Sequence, residues 1–152
     1  FNDSVVNLQI EGENSLKTNS FSSASPSVGL YVSYSSKLII DGTGVLNSEG
    51  RGVGIGATNM EAGSIIINGG TINACSTGSG AGIGGDDLEL IEINGGNVTA
   101  TGYDNGSGAG GGAGIGGYKE ASVTGIIRIN GGVVYAKGGG GAEDIGNGGF
   151  SC

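Results

Sequence analysis

The chain has 152 residues, 37 of them glycine and one proline, with 14 acidic and 6 basic side chains, no histidine and a net charge of −8 at pH 7. Such a surface cannot neutralise phosphates, which argues against nucleic acid and anionic membranes as partners, and no apolar run approaches transmembrane length. The glycine follows no G-X-Y period, so it belongs to turns and close packing rather than to a collagen-like or disordered chain.

In chain order, two segments recur. The first reads Leu8-Gln9-Ile10-Glu11-Gly12, Leu38-Ile39-Ile40-Asp41-Gly42, Ile65-Ile66-Ile67-Asn68-Gly69-Gly70, Leu90-Ile91-Glu92-Ile93-Asn94-Gly95-Gly96 and Ile126-Ile127-Arg128-Ile129-Asn130-Gly131-Gly132. Its isoleucine anchors fall at 10, 40, 67, 93 and 129, that is 26 to 36 residues apart. The second reads Val28-Gly29-Leu30, Val53-Gly54-Ile55-Gly56, Ala81-Gly82-Ile83-Gly84, Ala113-Gly114-Ile115-Gly116 and Glu143-Asp144-Ile145-Gly146. Repeats of this length belong to solenoids, in which one unit cannot bury its apolar face and must stack on its neighbours. Apolar residues alternate with variable ones, which is the period of a strand. No segment has helical length, so a parallel β-helix follows: all-β, about five coils, three short strands per coil.

The chain forms one domain over 1–152. Coil one, about 5–34, has a strand at Val5 to Ile10, another at Leu16, and a Ser-rich loop from Asn19 to Ser27 that contains Phe21 and Pro26. Coil two, 37–57, turns at Gly42-Thr43-Gly44. Coil three, 64–85, is the clearest unit. Coil four, 90–117, carries an insertion, Gly102 to Gly112, between its second and third strands, and coil five, 126–147, leaves a tail at 148–152.

Alternation assigns the inward rows. On the first face they are Leu8, Leu38, Ile65, Ile91, Ile127 and Ile10, Ile40, Ile67, Ile93, Ile129, with Ile67, Ile93 and Ile129 fully buried. On the second they are Val45, Ile72, Val98, Val134 and Asn47, Ala74, Ala100, Ala136; on the third, Leu30, Ile55, Ile83, Ile115 and Ile145. Outward on the third face stand Gly54, Gly56, Gly82, Gly84, Gly114, Gly116 and Gly146. Two causes fit: a backbone conformation that only glycine adopts, or a bare face that lets another surface approach. Asn68, Asn94 and Asn130 are placed to form an amide ladder, and Glu92 and Arg128 to pair across adjacent rungs.

The pattern GAGIGG…INGG…V-T-A, carried here by Gly80 to Gly85, Ile93 to Ala100 and Gly112 to Gly117, resembles the glycine-rich repeats of bacterial cell-surface proteins. More distantly it is similar to lyase-like β-helix carbohydrate-binding domains. The resemblance covers about Leu38 to Asn147 and implies an extracellular, right-handed parallel β-helix, the hand that parallel crossovers favour. It also implies an adhesive or sugar-binding role.

Candidate sites are few. Glu61, Asp86, Asp87, Glu89 and Glu120 come from loops on one edge of adjacent coils, where they either hold Ca²⁺ or form a solvated acidic edge. No other cofactor is indicated. Without histidine or long cleft-forming arms the chain lacks the means for catalysis on a sugar chain, so a non-enzymatic surface protein is expected, structural or adhesive, as a filament subunit or part of a larger adhesin. The alternative is a carbohydrate-binding module using Tyr103, Tyr118 and Tyr135, with Tyr31 and Tyr34 further off. Cys75 and Cys152 form a disulfide in an oxidising compartment provided that the tail folds back along the second face. Sequons stand at Asn2, Asn97 and Asn105, relevant to a eukaryotic source. A chain that starts at Phe1, with neither Met nor signal peptide, reads as a processed product or a piece of something longer. Its ends show no cap beyond Phe21 and Phe150, which points to partners by self-association or from neighbouring domains, with polysaccharide or glycan as the partner in the alternative and membrane insertion excluded.

Overall fold

The computed structural model describes residues 3–18, 27–104, 106, 110–123 and 125–150, and of residues 59–61 the backbone alone. Among them are strands and no helix, as short β-branched runs between glycine and asparagine dictate. The first coil contributes β1 (Val5–Ile10), β2 (Glu13–Lys17) and β3 (Val28–Tyr31); the second β4 (Lys37–Gly42), β5 (Val45–Gly50) and β6 (Val53–Glu61). Next come β7 (Ser64–Ile67), β8 (Thr71–Ser76) and β9 (Ile83–Asp86), then β10 (Leu90–Ile93), β11 (Asn97–Thr101) and β12 (Ile115–Gly116). The last coil holds β13 (Ile126–Ile129), β14 (Val133–Lys137) and β15 (Ile145–Gly146).

Each sheet takes every third strand, in the orders β1-β4-β7-β10-β13, β2-β5-β8-β11-β14 and β3-β6-β9-β12-β15, and every neighbouring pair is parallel. The chain is a parallel β-solenoid. Its core is a set of vertical columns: Leu38, Ile65, Ile91 and Ile40, Ile67, Ile93 from the first sheet, Leu46, Ile72, Val98 from the second, and Ile55, Ile83, Ile115 from the third, all buried. Full burial of one such side chain stabilises by about 1.5–3 kcal/mol. Leu88, inside an acidic stretch, is buried as well and closes the core at a corner.

Two registers differ from the alternation reading. In coil one Val6 lies opposite Leu38 and Leu8 opposite Ile40, so Ile10 faces Gly42 instead. A two-residue shift preserves alternation, and β1 is long enough to place Val6, Leu8 and Ile10 all inward; the Ile10 side chain reaches Gly70, where a Cβ would meet it at 2.5 Å. In coil two Leu46, not Val45, stands under Ile72, and Ser48, not Asn47, under Ala74. The buried Ser48 hydroxyl is satisfied by donating to the Gly54 carbonyl at 2.8 Å, while Asn47 turns outward and accepts from Asn73 Nδ2 at 2.8 Å.

The third sheet keeps the expected column Leu30, Ile55, Ile83, Ile115, Ile145. Its glycines, however, do not make a bare outer face. Gly54, Gly82 and Gly114 are buried, and a Cβ on them would stand within 2.6 Å of the backbone nitrogen of Cys75, Thr101 or Lys137 in the second sheet. Gly56, Gly84, Gly116 and Gly146 have φ of +139°, +133°, +134° and +138°, and a Cβ on Gly84 would lie 2.1 Å from the Gly116 carbonyl oxygen. Backbone conformation and close packing account for this glycine.

At the C-terminal end the stack stops without a cover among the described residues. Ile129, expected to be buried, is 44% exposed because β13 is the last strand of its sheet. Phe150 is 57% exposed and so is no lid; Phe21 lies outside the described residues. Polar side chains sit at both ends. Asn14 takes the inward column of Leu46 and donates to the Glu11 and Val45 carbonyls at 3.0 and 3.2 Å. The Glu143 carboxylate lies over Gly146 and accepts from the Asn147 backbone amide at 2.7 Å.

Candidate functional site

The outer face of the first sheet carries the expected columns. Asn94 Nδ2 donates to Asn68 Oδ1 at 2.9 Å, and Asn130 Nδ2 to Asn94 Oδ1 at 2.7 Å. By register the ladder column runs Gln9, Asp41, Asn68, Asn94, Asn130. Beside it Arg128 pairs with Glu92 at 2.7 Å. The Asn94 amide and then Arg128 donate to the Glu92 carboxylate and hold its pKa below the ordinary value. Asn68, Asn94 and Asn130, and beside them Glu92 and Arg128, are engaged with one another, which makes these columns structural.

The acidic edge is less organised than its sequence suggests. Glu61 and Asp86 share a register at the ends of β6 and β9, though the Glu61 side chain is outside the described set. Asp87 (φ +40°) and Glu120 (φ +62°) are exposed turn residues, and Glu120 lies 3.8 Å from Lys119. Glu89 folds back to accept from Ser64 Oγ at 2.9 Å. Among the described residues no three acids, thiols or imidazoles come together around a metal-sized space. Leu88, between Asp87 and Glu89 in the chain, is buried in the core.

The three candidate tyrosines are scattered. Tyr118 is half-buried with its hydroxyl hydrogen-bonded to Ser79. Tyr103 is half-buried in the coil-four insertion, its amide donating to the Gly80 carbonyl at 3.1 Å. Tyr135 is 59% exposed on the outer face of β14 and continues the column Asn47, Asn73, Thr99. That face holds a feature the sequence reading missed: a shallow depression of about 220 Å³ lined by Asn47, Glu49, Asn73, Cys75, Thr99 and Thr101. Alternation places Asn47 inward in coil two, whereas the structure places it on this face beside Asn73.

Cys75 is a half-buried free thiol in this depression, with Glu49 and Thr101 as its cross-strand neighbours. Burial first, then the Glu49 carboxylate, pushes its pKa up, with Lys17 opposing. Cys152 lies outside the described residues. The tail as far as it is described does not run along the second face: the Gly148 and Gly149 amides donate to the Ala121 and Gly111 carbonyls. Of the sequons, Asn97 is exposed at the start of β11, and Asn2 and Asn105 are outside the described residues. No described helix is long and apolar enough to cross a membrane. No protein-family model, curated protein or solved structure matches the chain.

Proposed function

We propose that the protein is a non-catalytic structural or adhesive module of an extracellular or cell-surface assembly, a filament subunit or part of a larger adhesin, that acts through the ends of its solenoid. One observation carries this reading. The last rung exposes Ile126, Ile129 and Val133 on β13 and β14, the final strands of the first two sheets, and such edges are templates for further pairing. The net charge of −8 disfavours contact elsewhere, and the resemblance to glycine-rich surface repeats points the same way. Multi-angle light scattering at rising concentration tests it: growth in mass supports the reading, and a monomer throughout counts against it.

A second reading, carbohydrate binding, is favoured by Tyr135 standing exposed beside Thr99, which lines the depression. An aromatic ring next to hydrogen-bonding side chains suits a sugar. Saturable binding on a glycan array that Tyr135→Ala abolishes would place this reading first.

A further inference from the structure

We infer that the outer face of the second sheet is a saccharide site, built for a neutral, extended β-1,4-linked polysaccharide lying along the solenoid axis from coil two to coil five. The inference rests on the carbohydrate reading and names the class of sugar. Strand alternation turns every second residue of this sheet outward, and the parallel register stacks those residues in columns that rise about 4.8 Å per coil. One column runs Asn47, Asn73, Thr99, Tyr135, and the column beside it Glu49, Cys75, Thr101, Lys137. The depression that they line, about 220 Å³, has room for one pyranose ring.

The hydrogen-bonding capacity of the first column suits hydroxyl groups. Asn73 Nδ2 donates to Asn47 Oδ1 at 2.8 Å. A primary amide carries two donor hydrogens and one carbonyl acceptor, so Asn47 keeps its donors and Asn73 its carbonyl, while the Thr99 hydroxyl donates and accepts. Sugar hydroxyls also do both and match this mixed row, whereas phosphate, which only accepts, does not. Tyr135, 59% exposed, is the next member of the column. A β-linked hexose with equatorial substituents has an apolar face of C–H bonds, and that face stacks on an aromatic ring.

Charge and shape narrow the class. The outward residues of coils three and four on this sheet, Thr71, Asn73, Cys75, Asn97, Thr99 and Thr101, are all uncharged. On the flanking rungs Glu13 and Glu49 offset Lys17 and Lys137, with Lys17 bridged to Glu49 at 2.8 Å. The face is therefore neutral on a chain of net charge −8, which repels a polyuronate or a sulfated glycan. The column is straight, and three steps, about 14 Å, separate Asn47 from Tyr135. A β-1,4 linkage between equatorial positions makes a straight ribbon; an α-1,4 linkage coils away from such a row.

Isothermal titration calorimetry with cello-oligosaccharides of two to six units, and with β-1,4-linked oligomannuronates of the same lengths, tests this. Affinity for the neutral series is expected to rise as far as about the tetramer, one sugar per side chain of the column, and then to level off; the mannuronates are expected not to bind. Tyr135→Ala is expected to weaken binding about tenfold and Thr99→Val about threefold to tenfold. Tyr34→Ala, at a ring 53% exposed outside this sheet, leaves it unchanged. Cys75 reports occupancy: at twice the Kd of the cello-oligosaccharide, its alkylation by iodoacetamide, read by peptide mass spectrometry, is expected to slow about threefold. Circular dichroism confirms that the variants fold. Cello-oligosaccharide binding that both variants leave intact, or that leaves Cys75 alkylation unchanged, overturns the site. Mannuronate binding as tight as that of the neutral series overturns the neutral class. Binding only of other glycans, lost in Tyr135→Ala, overturns the β-1,4 class while the carbohydrate reading stands. Binding of no glycan at all overturns both.

Discussion

Ile93 and Ile129 have the same sequence context, Ile-Asn-Gly-Gly, and occupy the same column of the first sheet, yet Ile93 is fully buried and Ile129 is 44% exposed. The difference comes from position in the stack: Ile93 has a strand on either side, and Ile129 has one. In a solenoid the stabilisation of a repeat is shared with its neighbours, so the middle coils are held from both directions and the terminal rungs from only one. Identical side chains therefore contribute unequally, and both terminal rungs expose apolar surface that the middle coils bury.

The sharpest way to break this comparison is to truncate both. Ile93→Ala is expected to cost about 2–5 kcal/mol, the usual range for a cavity in a packed core, and Ile129→Ala roughly 1 kcal/mol, in line with its partial burial. Equal losses in chemical denaturation would show that the last rung is not open. A second contrast lies between glycines. Gly84 and Gly106 both have positive φ, but a Cβ at Gly84 would meet the next coil at 2.1 Å, whereas at Gly106 nothing lies within 4 Å. Gly84→Ala is expected to cost about 1–3 kcal/mol or more, and Gly106→Ala only about 1 kcal/mol, from the left-handed backbone alone. Similar thermal shifts for the two would contradict the packing of the third sheet.

The smallest effect concerns Glu92. A carboxyl whose pKa is lowered in the folded chain stabilises it fully above the unfolded pKa, and that contribution disappears as the pH falls through the folded one. The melting temperature of Glu92→Gln is therefore expected to lie slightly below that of the parent chain at pH 7. The gap should close as the pH drops below 4.5, the ordinary value for this group. A gap that persists in acid would mean that Glu92 acts through its shape rather than its charge.

Much of the architecture was legible because stacking repeats the same chemistry at each level. The columns through Ile67 and Ile93, the third-sheet column through Ile83 and the ladder at Asn94 all follow from aligned residues. Register failed where alternation is silent. Leu8-Gln9-Ile10 reads the same after a shift of two, and Val45-Leu46-Asn47-Ser48 pairs two apolar residues with two polar ones, so only the contact from Ser48 to the Gly54 carbonyl decides which member points inward. Alternation leaves two causes open for the third-sheet glycines for a related reason, since sheet packing at a corner depends on residues from another strand. The candidate sites depended on side chains converging across loops. Leu88 draws the chain inward between Asp86 and Glu89, a constraint that a string of acidic letters does not display.

The insertion at residues 102–112 leaves the flanking strands undisturbed. Thr101 still pairs with Cys75 and Lys137, and Ile115 with Ile83 and Ile145. Loop length at that corner is thus uncoupled from the vertical rise of about 4.8 Å per coil, and the protein works as a graduated rod on which a foreign peptide can be mounted at a chosen height. Because each coil offers the same corner, two grafts placed on coils two apart would be held about 10 Å from each other, a spacing fixed by backbone hydrogen bonds rather than by a linker.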